Sequence, residues 1–355
     1  MKLNIRHLAV LSLSSILIAA GCGNNNTSTN AGASANTSAA ATAEAPTATA
    51  AHKLDIKVSF YPMYEFTKNI TGDLADVEAL IPPGIEPHDW EPTAQDMARI
   101  TKADVLVYNG AGMESWVDQV LDSASGSKLV SVEASKGLDI MEGTEEEEHE
   151  HGEDEHGHDH GEGEEHDHGH GEGEDHHHDH GGLDPHVWLA PALAVKEVRN
   201  IESALAAAAP EHAEAFKANA DAYISKLEAL DQEFREATKE VKRKDFITQH
   251  AAFGYLAKEY GLTQVPIAGL SPEEEPSAAK MAEIVKFAKT HNVKTIFFET
   301  LVSSSVADTI AKEIGAKTAV LNPIEGLTEE DRSNNLDYLG IMRQNLEALK
   351  TALNE

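Results

Sequence analysis

Residues 210–243 read PEHAEAFKANADAYISKLEALDQEFREATKEVKR, and this stretch decides the architecture. Ala213, Phe216, Ala220, Tyr223, Leu227, Leu230, Phe234 and Ala237 recur at intervals of three and four. Side chains three and four apart share one face of an α-helix, so the spacing predicts an apolar stripe along a helix of about eight turns. A dimeric coiled coil is the alternative, but Ala213 and Ala220 in the first turns make a poor seam for one.

On either side of this helix the chain alternates between short apolar runs and helical stretches. Before it, strands are expected at residues 54–61, 77–81 and 104–108, with helices at 64–70 and 93–102. Gly72 stops the first helix, Thr93 caps the second, and Pro82-Pro83-Gly84 breaks the second strand. After it, strands are expected at 246–248, 264–268, 295–298 and 318–321. Helices are expected at 254–260, 277–290, 305–314 and 333–353, with Gly261 and Gly315 as C-terminal stops. Strand–helix alternation at this interval predicts an α/β fold of two similar lobes with central, mainly parallel sheets, joined by one long helix. The lobes fall at residues 52–209 and 244–355.

The 355 residues carry a formal net charge of −33, which disfavours nucleic acid as a partner and is compatible with cations. Seventeen of the acidic residues lie in residues 145–180, a stretch without Lys or Arg. The same stretch holds twelve of the nineteen histidines: His149, His151, His156, His158, His160, His166, His168, His170, His176, His177, His178 and His180. With no apolar residue to pack, it reads as a disordered surface loop within the first lobe. Neutral imidazoles beside carboxylates make a string of weak sites for Zn²⁺, Cu²⁺ or Ni²⁺. A tight site is not expected there, because each binding event must order the chain.

The start of the chain is of another kind. Lys2 and Arg6 precede an apolar run at residues 8–20, shorter than the roughly 20 residues needed to span a bilayer. Residues 1–21 therefore read as a secretory signal. The run ends in Ala19-Ala20-Gly21-Cys22, which resembles the lipobox of bacterial lipoproteins and implies lipidation of Cys22, the single cysteine. Residues 23–51, almost all Asn, Thr, Ser, Ala and Gly, suit a flexible tether.

Outside the tract three histidines stand in motif-like surroundings. His88 lies in Pro87-His88-Asp89-Trp90-Glu91-Pro92-Thr93, His186 in Asp184-Pro185-His186-Val187-Trp188-Leu189, and His250 in His250-Ala251-Ala252-Phe253-Gly254-Tyr255. Each follows a strand or opens a helix, where open α/β sheets bind ligands. Two come from the first lobe and one from the second, which places a shared ion in the cleft between them.

These three segments resemble the histidine motifs of the zinc- and manganese-specific solute-binding lipoproteins of bacterial ABC importers. The zinc members carry a His-rich loop between the first two motifs, as here, and the similarity runs from about Leu54 to the end. The resemblance implies a C-shaped clamp of two lobes on a rigid helix. It also implies a protein that captures Zn²⁺ outside the cell and delivers it to a membrane permease, as a monomer tethered to the outer face of the cytoplasmic membrane. The family's fourth ligand is a carboxylate of the second lobe, often an Asp before a Pro. This chain has Asn322-Pro323 there, and Glu325 three residues on, similar to a Glu-bearing variant of zinc-specific relatives. The ligand set implied is thus His88, His186, His250 and Glu325, with Asn322 or water as the alternative for the fourth. Glu299, after Ile296-Phe297-Phe298, is a rival carboxylate that reads better as structural.

Three imidazoles and a carboxylate suit four-coordinate Zn²⁺, whereas Mn²⁺ favours a second carboxylate in place of an imidazole. No His-Glu-x-x-His pair occurs, and a filled fourth position leaves no place for an activated water, so a zinc hydrolase is not expected. A manganese-binding homologue, or an extracellular metal buffer or adhesin without a transport role, stays open at this level.

Overall fold

The computed structural model describes residues 53–143 and 182–355. The signal, Cys22, the tether and the twelve-histidine tract lie outside the described residues. Among those described, the first lobe contains β1 (Leu54–Val58), α1 (Tyr61–Thr71), β2 (Ala75–Ala79), α2 (Ala94–Ile100), β3 (Val105–Tyr108), α3 (Val117–Ser123), β4 (Val130–Glu133) and α4 (Pro191–Ala208). Next comes α5 (Ala213–Lys239). The second lobe follows with β5 (Asp245–Thr248), α6 (Gly254–Glu259), β6 (Thr263–Pro266), α7 (Ala278–Thr290), β7 (Thr295–Phe298), α8 (Ser305–Ile314), β8 (Lys317–Val320), α9 (Glu329–Ser333) and α10 (Tyr338–Leu353).

The two sheets have the same order, β2-β1-β3-β4 and β6-β5-β7-β8, and every pairing is parallel. Ile56 lies opposite Val77 and Val105, and Ile247 opposite Val265 and Ile296. Helices cover both faces, and the central strands of the first sheet carry a run of fully buried apolar residues: Ile56, Val58, Val105, Leu106 and Val107. In each sheet the chain leaves the first strand for one side and then crosses to the other. The switch points, between β1 and β3 and between β5 and β7, open crevices at the carboxyl ends of the strands.

Helix α5 buries Phe216, Ala220, Tyr223, Leu227, Leu230 and Phe234, the centre of the expected stripe. It packs on α1 and α4 of the first lobe and on α10 of the second. The largest core therefore runs unbroken from Ile56 and Val58 through α5 to Phe246, Leu256 and Leu349. A large apolar junction of this kind restrains the lobes from moving independently.

Several expected boundaries shift for local reasons. Helix α1 begins at Tyr61 rather than residue 64, because Pro62 falls in its first turn, where a missing N–H costs nothing. The regular part of β2 ends at Ala79, yet Leu80 and Ile81 still donate to Val58 O and Ser59 O. Ile267 and Ala268 do the same beyond β6, donating to Thr248 O and Gln249 O. The expected helix at 333–353 starts late, at Tyr338: Ser333 ends a separate short helix, α9, that the sequence reading does not include, Asn335 takes a positive φ of 52°, and Asp337 caps α10 by accepting from Gly340 N. Helices α3 and α4 and strand β4 were not foreseen. Among the described residues no helix is long and apolar enough to cross a membrane.

Candidate metal centre

Each of the four expected side chains is carried by a loop whose backbone is pinned. His88 lies between β2 and α2. The Glu86 carboxylate accepts its backbone N–H, with both oxygens at 3.0 Å, and the Thr93–Asp96 capping box fixes the loop's exit into α2. His186 opens a short 3₁₀ turn, Val187–Leu189. Its backbone N–H donates to Asp184 Oδ1 at 3.0 Å, and Asn109, just past β3, donates from Nδ2 to Pro185 O at 3.0 Å.

His250 stands two residues past β5. Thr248 Oγ1 and Gln264 Nε2 both donate to its carbonyl, at 2.8 and 2.9 Å. Glu325 follows β8 in a turn held by Asn322. The Asn322 side-chain oxygen accepts from Ile324 N at 2.7 Å, while its backbone exchanges hydrogen bonds with the Asn345 side chain at 2.8 and 2.7 Å. Trp188 Nε1 of the first lobe donates to Pro323 O at 2.8 Å. Ile324 has φ of 61°, a left-handed conformation that is strained for a β-branched residue. The strain turns the next side chain, Glu325, into the cleft. Asn322 thus shapes the turn, and its side-chain oxygen is engaged there.

His88, His186, His250 and Glu325 are all buried, between 0% and 3% exposed. One ligand atom from each lies within 4.8 Å of the others. Glu325 Oε1 is 3.3 Å from His88 Nε2, 3.3 Å from His186 Nε2 and 3.4 Å from His250 Nε2. His186 Nε2 and His88 Nε2 are 3.3 Å apart. A tetrahedron of bonds of about 2.0–2.1 Å, the lengths Zn²⁺ makes with imidazole and carboxylate, has edges of about 3.3–3.4 Å. The four separations just given match those edges. Among the described residues, neither His250 Nε2 nor Glu325 Oε2 has a hydrogen-bond partner.

The far sides of two imidazoles are held by carboxylates. His186 Nδ1 pairs with Asp184 Oδ1 at 2.8 Å, and His250 Nδ1 with Glu299 Oε1 at 2.7 Å. Such pairs fix the tautomer that leaves Nε2 facing inward and make it more basic. Glu299, at the end of β7, therefore sits behind His250, outside the four-atom cluster. Neither the role of Asp184 nor that of Asn109 was foreseen. For Asp184 the signal was its place two residues before a histidine; Asn109 had none.

Burial disfavours charge on every group here, and the partners decide the outcome. For His88 burial wins, and its pKa falls to about 4. For His186 burial is outweighed by Asp184 and Glu325, and for His250 by Glu299 and Glu325, so both are raised, His250 strongly. Glu325 is held well below the carboxylate range, its burial overcome by the three imidazoles around Oε1.

Two parallel-sheet lobes on a shared core, with a buried His₃Glu cluster between them, define a metal-binding solute-binding protein. The chain belongs to the ZnuA family, the periplasmic component A of zinc-uptake complexes, which matches residues 56–352. It is 53% identical to the high-affinity zinc uptake system protein ZnuA of Bacillus subtilis over 85% of this chain and 88% of that protein. It is 46% identical to the zinc-binding lipoprotein AdcA of Streptococcus pneumoniae over 84% of this chain but only 55% of that longer protein. The Zn(II)-bound crystal structure of the ZnuA-like domain of that AdcA superposes with a TM-score of 0.69 at 41% identity, covering 86% of this chain and 100% of that domain.

Proposed function

We propose that this protein captures one Zn²⁺ ion through His88, His186, His250 and Glu325 and delivers it to the permease of an ABC importer. The observation that carries the reading is the set of 3.3–3.4 Å separations around Glu325 Oε1, the edge lengths of a zinc tetrahedron. The ligand chemistry agrees: three imidazoles favour Zn²⁺ over the harder Mn²⁺. Membership of the ZnuA family, and the zinc-uptake and zinc-binding names of the relatives, support the same cargo and the same route.

All four ligand positions are filled by protein and buried, which leaves no open coordination position for an activated water. The ion is carried and released, with no bond made or broken in a substrate. The chain's task is to present four oriented donors to a cation and to exclude water once it is held. We assign lipidation to Cys22, the tether role to residues 23–51 and a monomeric state to the clamp, held on the outer face of the cytoplasmic membrane. Residues 145–180 would collect zinc loosely and raise its local supply.

Calorimetric zinc titration of the protein without residues 1–51, beside its His250→Ala variant, tests the reading. We expect one tight step followed by weak ones, with the tight step lost in the variant. Weak, graded binding in both would mean that the tract is the whole of the metal chemistry.

A further inference from the structure

Tyr255 belongs to α6 of the second lobe, yet its hydroxyl is spent on the first. It donates to Asp184 O at 2.8 Å and accepts from Met141 N at 2.8 Å. Met141 and Asp184 lie on the two stems that lead into and out of residues 144–181. The stems pair with each other: Asp184 N donates to Met141 O at 2.9 Å, Gly143 N to Gly182 O at 2.6 Å, and Glu142 bridges to Leu183. The buried Tyr255 ring packs on Val187 and Ala190, in the turn that His186 opens.

Gly254 completes the grip. A Cβ on it would stand 2.8 Å from Asp184 Oδ2 and 3.3 Å from Met141 Cε, so only glycine lets α6 approach this closely. The carboxylate so approached is the one that holds His186 by both its backbone N–H and Nδ1. The second lobe thereby steadies a ligand that the first lobe supplies.

We propose that Tyr255 and Gly254 are positioning residues for His186, acting through Asp184 to hold the imidazole at tetrahedral geometry and so to favour Zn²⁺ over Mn²⁺. The proposal rests on the reading of the four-residue cluster as the zinc site and adds what selects the ion. An imidazole fixed from behind adapts poorly to the larger coordination shell that Mn²⁺ takes from oxygen-rich sites. Loss of an outer-shell partner typically costs 10–100-fold in metal affinity. Tyr255 acts one bond further out than Asp184, so the lower end of that range applies.

The test uses Tyr255→Phe, which keeps the ring and its packing but removes both hydrogen bonds, and Gly254→Ala, which keeps the hydroxyl but presses on Asp184. For the full chain and both variants, zinc and manganese affinities are measured by chelator competition. The visible absorption of the Co²⁺-loaded protein is recorded alongside, as is thermal unfolding without metal. We expect both variants to keep one tight site, with zinc affinity lowered about tenfold. Altered Co²⁺ bands and a zinc-to-manganese ratio narrowed by a similar factor should accompany the loss. Zinc affinity within about twofold of the parent and unchanged Co²⁺ bands, with only the melting temperature lowered, would overturn the proposal and leave Tyr255 as a tie between lobes. A parent chain without a tight zinc site would instead overturn the zinc reading beneath it.

Discussion

At the scale of residues, the site is a set of opposed preferences. Three imidazoles and a carboxylate are buried together although burial penalises every charged form among them. Beside their carboxylates the protonated forms of His186 and His250 are favoured, that of His250 strongly, whereas His88, lowered to about 4, is neutral at pH near 7. A protonated imidazole cannot coordinate, so zinc must displace those protons, and affinity rises with pH until the raised values are passed. We expect zinc binding near pH 7 to release protons, read by calorimetry in buffers of different ionisation enthalpy. Release of none would mean that both imidazoles are neutral before binding. Away from the site, Glu197 on α4 is fully buried, and neither carboxylate oxygen has a hydrogen-bond partner among the described residues. Burial first, and Glu114 second, raise its pKa well above the ordinary value. The fold therefore favours the protonated form: the stability this gives is full below the unfolded carboxyl range and lost as pH rises through the folded value. Glu197→Gln should raise the melting temperature by about 2–4 °C at pH near 8, where the carboxylate costs most. The gap should close toward about pH 4; a gap independent of pH would contradict this account of Glu197.

At the scale of elements, the stripe from Phe216 to Phe234 was legible because a long helix against a core repeats one signal over many turns. The buried strands at Val105 and Thr295 were legible as apolar runs bounded by turn residues, and Thr93 as a cap. Strand β4 was not, since its VSVE run leaves Val130 exposed and lacks the apolar density of its neighbours. Helix α4 was obscured by a different cause: its Ala-rich pattern follows directly on the segment quoted for His186, and Pro191 at its start reads as a break until it is placed in a first turn. The split between α9 and α10 turns on a single left-handed residue, Asn335, which periodicity does not register. Within the candidate site the three histidines that cluster were readable from their joint pattern at strand ends, and Glu325 from the resemblance of its segment. Their supports were not. Asp184, Asn109 and Tyr255 act through contacts between residues 71 to 114 apart in sequence, or through one atom of a backbone turn, and no local pattern announces such contacts.

At the scale of the whole molecule, the central fact is that neither lobe owns the site. His88 and His186 come from the first lobe, His250 and Glu325 from the second, and one apolar core built around α5 holds the two at a set separation. Trp188 reaching Pro323, and Tyr255 reaching Asp184 and Met141, tie the lobes again beside the cluster. The distances around Glu325 Oε1 are therefore a property of the assembled chain, to which both lobes contribute. The most direct test is X-ray absorption at the zinc edge on protein lacking residues 145–180 and loaded with one equivalent of zinc. The account predicts four nitrogen or oxygen ligands at about 2.0–2.1 Å, with outer-shell scattering from three imidazoles that falls to two in His250→Ala. A shell of five or six longer bonds, or fewer than three imidazoles in the parent, would contradict it.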